Sequence, residues 1–382
     1  MSNTFEIRKI QWTLPDFLFG STITLYPYGL CIAGGALLAL ILMAVLSRKK
    51  SLRQGTVSWF AVLGIPLAVV FSRLFFFVAR LDLFRGQGLD RITDLTGGGY
   101  LFFGAFTGLI LAGWLAARIT CQKTGQVLDA AAAPTALVIT AARIGAYVTE
   151  YVRYKKNGTM VIKPIEIGRD ILEWFDPEKG KVFLTWDDPS PLFKFPYAVK
   201  DNYGSWMFAV FFLEAVVALI IFTILLIRKT RRSGSKFLLF LTLYAGCQAV
   251  LETLRSDPVT LGFIKINVLS LGFVKANQVL AALTLLITVS IALFRVPRAE
   301  RKWWMYAVGY GVVLLGCGVI AAMEFTVDDN KKILFLRWMK DDLCYAVDAL
   351  AALGMMISTS WLIRRSDRYT DGDRSDELSV SR

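Results

Sequence analysis

A handful of ionisable side chains stand inside, or at the edge of, long apolar stretches of this sequence: Arg73, Arg143, Glu214, Glu252 and Arg255. Placing an arginine at the centre of a bilayer costs about 2.5–3.5 kcal/mol on insertion scales. Such residues must therefore face a polar cavity, one another, or a bound anion. Glu252 and Arg255 are three residues apart, which on a helix puts them on one face and lets them pair. Two readings of the set are open. Arg73 and Arg143 either neutralise Glu214 and Glu252, or leave a guanidinium fork for a phosphate oxygen, whose planar geometry arginine matches while keeping its charge when desolvated. Taken alone, the pattern points to a site for an anionic lipid or another anionic substrate.

Glycine supplies a second pattern. Gly97, Gly98 and Gly99 precede an apolar run that begins at Tyr100, and such a run lets backbone unwind or approach a ligand closely. Exposed N–H groups at a helix N-terminus favour anions. Gly104 and Gly108 follow as a small-xxx-small step suited to close helix packing.

What is missing narrows the chemistry. The chain contains no histidine, which removes Ser–His–Asp and Cys–His nucleophile systems, an H-E-x-x-H zinc site and a histidine general base. The five cysteines, Cys31, Cys121, Cys247, Cys317 and Cys344, are scattered without metal-ligand spacing and read as small buried apolar residues. Neither a metal nor a cofactor is expected.

The elements that position these residues follow from composition. The chain has 382 residues, of which 55% are hydrophobic, and a mean hydropathy of +0.52, too apolar for an ordinary soluble domain. Continuous apolar runs of about 20 residues recur, the length a helix needs to cross the hydrocarbon. Lipid supplies no backbone partners, so the runs must be helices. The expected fold is an all-α polytopic membrane protein with about nine spans. The first five are Leu25–Leu46, Val57–Val78, Tyr100–Ala117, Leu128–Val148 and Trp206–Ile227; the last four are Phe237–Leu254, Leu271–Phe294, Trp304–Met323 and Leu343–Ile363.

The net charge of +13 sits in short loops after the first, third, fifth, seventh and ninth runs, as the positive-inside rule expects. That placement argues against nucleic acid as a partner. It puts the N-terminus outside and the C-terminus in the cytoplasm, with the first span as an uncleaved insertion signal. The loop from Glu150 to Ser205, with Pro164, Pro177, Pro189, Pro191 and Pro196, is long enough to carry function or form a lid. Within it, Lys181–Trp186 reads as a strand. The charged tail after Ser366 reads as disordered.

In order along the chain, several segments resemble the prolipoprotein diacylglyceryl transferase family. Pro27-Tyr28-Gly29-Leu30 resembles the family's W-Y-G-L. The stretch from Gly98-Gly99-Tyr100 through Phe103-Gly104 to Gly108 is similar to its G-G-M-S-F-H-G-G-x-x-G. Arg143-Ile144-Gly145 resembles the core of its signature G-R-I-G-N-F. Tyr244 to Arg255, with Gln248 and Glu252 between, is similar to Y-G-x-x-R-x-x-x-E-x-x-R, and Asn277-Gln278 to the end of M-G-Q. The resemblance covers about 25–294, a core of seven helices. It leaves an N-terminal outer segment (1–24), two further helices (295–365) and a tail (366–382).

The resemblance implies transfer of a diacylglyceryl group from phosphatidylglycerol to the lipobox cysteine of a lipoprotein precursor at the bacterial cytoplasmic membrane. By the same resemblance Arg143, Tyr28 and Glu252 are candidate catalytic residues, with Arg143 clamping the phosphodiester. Arg73, Arg255, Gly98, Gly99, Tyr244, Gln248 and Gln278 would line the phosphate and lipid site. Three positions depart from the pattern. The family histidine falls on Phe103, the signature asparagine on Ala146, and the arginine of Y-G-x-x-R on Gln248. Tyr28, Glu150 or Glu252 could replace the histidine as base. The alternative reading is a relative that binds anionic lipid or lipoprotein without transferring anything, and an unrelated transporter using Asp348 is a third.

Overall fold

The computed structural model describes residues 10–13, 22–25, 27–49, 52–81, 100–149, 151–156, 159–164, 198–200, 206–208, 210–254, 265–266, 269–270, 275–327 and 341–369. The expected class holds, since the chain is a polytopic helical membrane protein. Its helices are α1 (Pro27–Lys49), α2 (Thr56–Ala79), α3 (Phe102–Ile119), α4 (Thr124–Thr149) and α5 (Val210–Ile227). They continue with α6 (Ser235–Leu251), α7 (Ala276–Arg295), α8 (Trp303–Thr326) and α9 (Asp341–Ser366). Among the described residues, 8 of these are long and apolar enough to cross a membrane. The remaining one, α6, is 17 residues long. Early in α8, Ala307–Gly311 form a π-helical turn.

Short antiparallel hairpins accompany the helices: β1 (Ile10–Thr13) with β2 (Thr22–Leu25), and β3 (Tyr151–Lys156) with β4 (Thr159–Pro164). Two more join β5 (Ala198–Lys200) to β6 (Trp206–Phe208), and β7 (Lys265–Ile266) to β8 (Leu269–Ser270). The span expected from Trp206 therefore starts later, at Val210, because Trp206–Phe208 pair as a strand. The strand expected at Lys181–Trp186 and the tail after residue 369 lie outside the described residues.

The chain divides into two units. The first comprises Met1–Ile41, Pro134–Phe222 and Leu254–Asp257; the second comprises Leu42–Ala133, Thr223–Thr253 and Pro258–Arg382. In the second, α2 and α3 pack closely along their length, and the glycine step explains why. A Cβ on Gly104 would collide with the backbone of Phe71 and Ser72, and one on Gly108 with the backbone of Leu67 and Ala68. The expected role of the pair in close packing is met. Ser72 fixes the register by donating its hydroxyl to the Leu101 carbonyl at 2.8 Å, while Leu101 N–H donates to the Ser72 carbonyl at 3.2 Å.

The same unit solves the problem of the N-terminus of α6 from another helix. The first N–H groups of any helix lack partners within it. Here the buried carboxylate of Asp129 on α4 accepts from Gly234 N–H at 2.9 Å and from Phe237 N–H at 3.0 Å. A carboxylate there also complements the helix dipole.

Two stability predictions follow from these contacts. Gly108→Val drives a branched side chain into backbone that cannot yield, so it should destabilise by about 3 kcal/mol or more, near the upper range for overpacking. Asp129→Ala removes two charge-assisted bonds worth roughly 1.5–3 kcal/mol each. Thermal unfolding in detergent should show a lowered midpoint for both, and Asp129→Asn should lose less than Asp129→Ala.

Candidate active site

In the first unit, the packing of α1 on α4 places the signature arginine. A Cβ on Gly35 would collide with the Ala141 side chain, so the bare glycine lets the helices meet two residues before Arg143. Tyr28 lies two turns earlier on α1, and its side chain is outside the described residues. Arg143 is buried, at 5% exposure, and faces Glu214 on α5, at 1%. Its Nη2 donates to Oε1 at 3.1 Å, and its Nε lies 2.9 Å from Oε2. The guanidinium is held along one edge by both carboxylate oxygens, the paired geometry that arginine favours. Of the two readings of the buried charges, pairing thus applies to Arg143 and Glu214.

In the second unit, Arg73 is buried on α2. Its guanidinium lies 5.7 Å from the ring centre of Phe76 and 5.8 Å from that of Tyr100, a cation–π arrangement. Tyr244 on α6 is buried in an aromatic group. Its ring meets Phe106 edge-on at 4.9 Å, Phe103 at 5.8 Å and Phe102 at 6.5 Å, and stacks on Phe240 at 6.0 Å. Phe103, where the sequence pattern would place a histidine, also packs edge-on against Phe106 at 5.9 Å. Its surroundings are apolar and close-packed.

A polar network crosses from α6 and α7 to α8. Glu252, wholly buried, accepts from Asn277 Nδ2 at 3.1 Å through Oε2. Its main-chain carbonyl accepts from Lys275 Nζ at 3.0 Å. The same ammonium pairs with Glu324 Oε1 on α8 at 2.9 Å. Gln278 Nε2 donates to that oxygen at 3.0 Å and contacts the Ala249 carbonyl at 3.3 Å. A cavity of 150 Å³ adjoins Gln278, Glu324, Cys317 and Met355. Asp348 on α9, also buried, lies within electrostatic range of Lys275 and Glu324.

The structure places Arg143, Arg73, Tyr244, Gln248, Glu252 and Gln278 in buried or half-buried positions. It brings Glu252 and Gln278 into one network. Gly98, Gly99, Glu150 and Arg255 lie outside the described residues. The helix ends at Leu251 with Glu252 as its C-cap, and the pairing expected between Glu252 and Arg255 falls partly outside the described residues. Sequence reasoning missed Lys275 and Glu324. The signal was present, because each is an isolated charge in apolar company, the criterion that singled out Arg143. Breaking a buried pair leaves an uncompensated charge and costs about 3–5 kcal/mol. Lys275→Met and Glu324→Leu should each destabilise strongly in thermal melts, whereas the double variant should recover most of the loss.

Comparison with known proteins places the chain in a family. The family described as prolipoprotein diacylglyceryl transferase matches residues 16–294. A phosphatidylglycerol–prolipoprotein diacylglyceryl transferase of Listeria welshimeri is 19% identical over 279 residues, covering 73% of this chain and 88% of its own. Proteins of the same name from Listeria monocytogenes and Dehalococcoides mccartyi are 21% identical over 282 residues and 25% over 284. Each covers 73% of this chain, and 88% and 92% of their own. α8 and α9 lie beyond the matched segment. With its buried arginine and tight glycine step both inside that segment, this chain belongs to the prolipoprotein diacylglyceryl transferase family.

Proposed function

We propose that this protein transfers a diacylglyceryl group from phosphatidylglycerol to the thiol of a lipobox cysteine in an exported lipoprotein precursor, in the bacterial cytoplasmic membrane. The observation that carries the reading is Arg143. It stands at the signature position and is buried and oriented by Glu214. In the reaction the cysteine sulfur bonds to a glyceryl carbon, the carbon–oxygen bond to the phosphate breaks, and glycerol phosphate leaves. Negative charge grows on the leaving phosphate oxygens, where a fixed cation stabilises the transition state more than the ground state. Arg143 is assigned that role. By the family resemblance alone, Arg73, Arg255, Gly98, Gly99, Tyr28, Tyr244, Gln248 and Gln278 are the further candidates for lipid binding.

The thiol proton needs an acceptor, and the family histidine is Phe103 here. Glu252 is the described carboxylate within the matched motifs, and Asn277 orients it. It is assigned as base, with Tyr28 as the other candidate. Orientation belongs to the same reading. Arg48 and Lys49, Arg118, Arg295, and Arg364 and Arg365 occupy the last turns of α1, α3, α7 and α9. By the positive-inside rule, these basic helix ends are assigned to the cytoplasmic face.

Phe103 favours a second reading. A buried phenylalanine in an aromatic group cannot move a proton, as expected of a relative that binds anionic lipid or lipoprotein without transfer. The deciding measurement is the mass of a lipobox peptide incubated with phosphatidylglycerol and purified protein. Active protein adds a diacylglyceryl group to cysteine. Arg143→Lys, which keeps charge but loses the fork, should slow transfer by roughly 100-fold, about 2.7 kcal/mol. Glu252→Gln should reduce transfer comparably while leaving lipid binding intact. Absence of a mass shift beside an active control enzyme selects the binding reading.

A further inference from the structure

The second unit contains a groove unrelated to the residues assigned to transfer. It has a volume of 460 Å³ and runs between the end of α5, the outer side of α6 and the last turns of α9. Its wall is aliphatic, formed by Ile224, Leu239, Leu243, Leu353, Met356 and Ile357. Ile357 is 67% exposed and Leu353 48%, so the groove opens sideways, toward where lipid chains run. At one end the lining turns polar, with Arg228, Arg364, Ser235 and Ser360.

The position of that end is fixed. Arg228 directly follows the last residue of α5, and Arg364 lies in the last turn of α9. Both therefore sit where helices leave the hydrocarbon, and Trp361, also in the lining, is a residue type enriched at that depth. Asp367 also lines this end, and its carboxylate is taken up by backbone donors. Its Oδ2 accepts from Arg231 N–H at 3.0 Å and its Oδ1 from Arg232 N–H at 2.8 Å. That contact pins the turn after α5 to the end of α9 and keeps the groove mouth in shape. The guanidinium groups of Arg228 and Arg364 have no hydrogen-bond or ion-pair partner among the described residues.

From this aliphatic slot ending in two unmatched guanidinium groups, we propose that the groove is a second lipid site, taking one anionic phospholipid with an acyl chain along α6 and α9 and its phosphate at Arg228 and Arg364. Charge complementarity selects the occupant. Two arginines beside a carboxylate already occupied by backbone N–H groups match a phosphodiester with its extra negative charge, whereas a zwitterionic headgroup brings a cation against them. One wall is α9, beyond the family match at residue 294, so the matched segment alone cannot build this site. The proposal is independent of the transfer reaction and stands whether or not the protein turns over.

Native mass spectrometry of the full-length protein, titrated with phosphatidylglycerol or phosphatidylcholine after delipidation, tests it. The wild-type protein should retain a phosphatidylglycerol that phosphatidylcholine does not replace. Arg228→Gln with Arg364→Gln should weaken that binding step at least 10-fold. Ser360→Trp, which fills the groove and leaves both charges, should remove it also, and decides the matter if the double variant fails to fold. The same step should persist in Arg143→Gln, separating it from the proposed substrate site. Undiminished retention in the groove variants, equal retention of phosphatidylcholine, or loss of the step in Arg143→Gln would each overturn the assignment.

Discussion

An ionised side chain carried into hydrocarbon has to find its counter-charge inside the protein, and in this molecule that requirement shapes both units. In the first, Arg143 and Glu214 answer each other across α4 and α5. In the second, Lys275 is answered by Glu324 and by the Glu252 carbonyl, while Asn277 and Gln278 occupy carboxylate oxygens nearby. Helices of this composition have little hydrophobic reason to choose one neighbour over another, because lipid chains are as apolar as leucine. Specific pairing therefore falls to charge, to buried hydrogen bonds such as those of Asp129, and to bare glycine faces.

Much of this was readable without coordinates. Apolar runs of bilayer length gave the helices to within a few residues, since a span must satisfy its own backbone. The Gly104–Gly108 step announced a close helix contact because only a residue without Cβ permits one. Lone arginines in apolar sequence announced buried partners. Partner identity was another matter. Glu214 is 71 residues from Arg143, and no local period links them. Asp129 reaches across 105 residues to Gly234, where its role is to cap another helix and not its own. The run Trp206–Phe208 read as the start of a span because hydropathy does not distinguish a short apolar strand from a helix turn.

The place of Phe103 shows how an altered residue is accommodated. Its ring is enclosed by Phe106 and Tyr244, and Tyr244 in turn stacks on Phe240. These contacts supply dispersion and edge-to-face attraction, which suit a phenyl ring. A titratable imidazole would need polar partners in its place. The change is therefore a property of a neighbourhood: the rings around Phe103 suit a phenyl group.

The Lys275–Glu324 pair has an implication for how the chain can be divided. Lys275 begins a helix inside the family-matched segment, whereas Glu324 belongs to a helix outside it. Each charge is compensated by the other across the boundary of that segment. A chain cut after α7 would strand the Lys275 ammonium group with one carbonyl for company. The seven helices inside the match and the two beyond it are thus electrostatically joined, and the shorter segment is not free-standing in this protein.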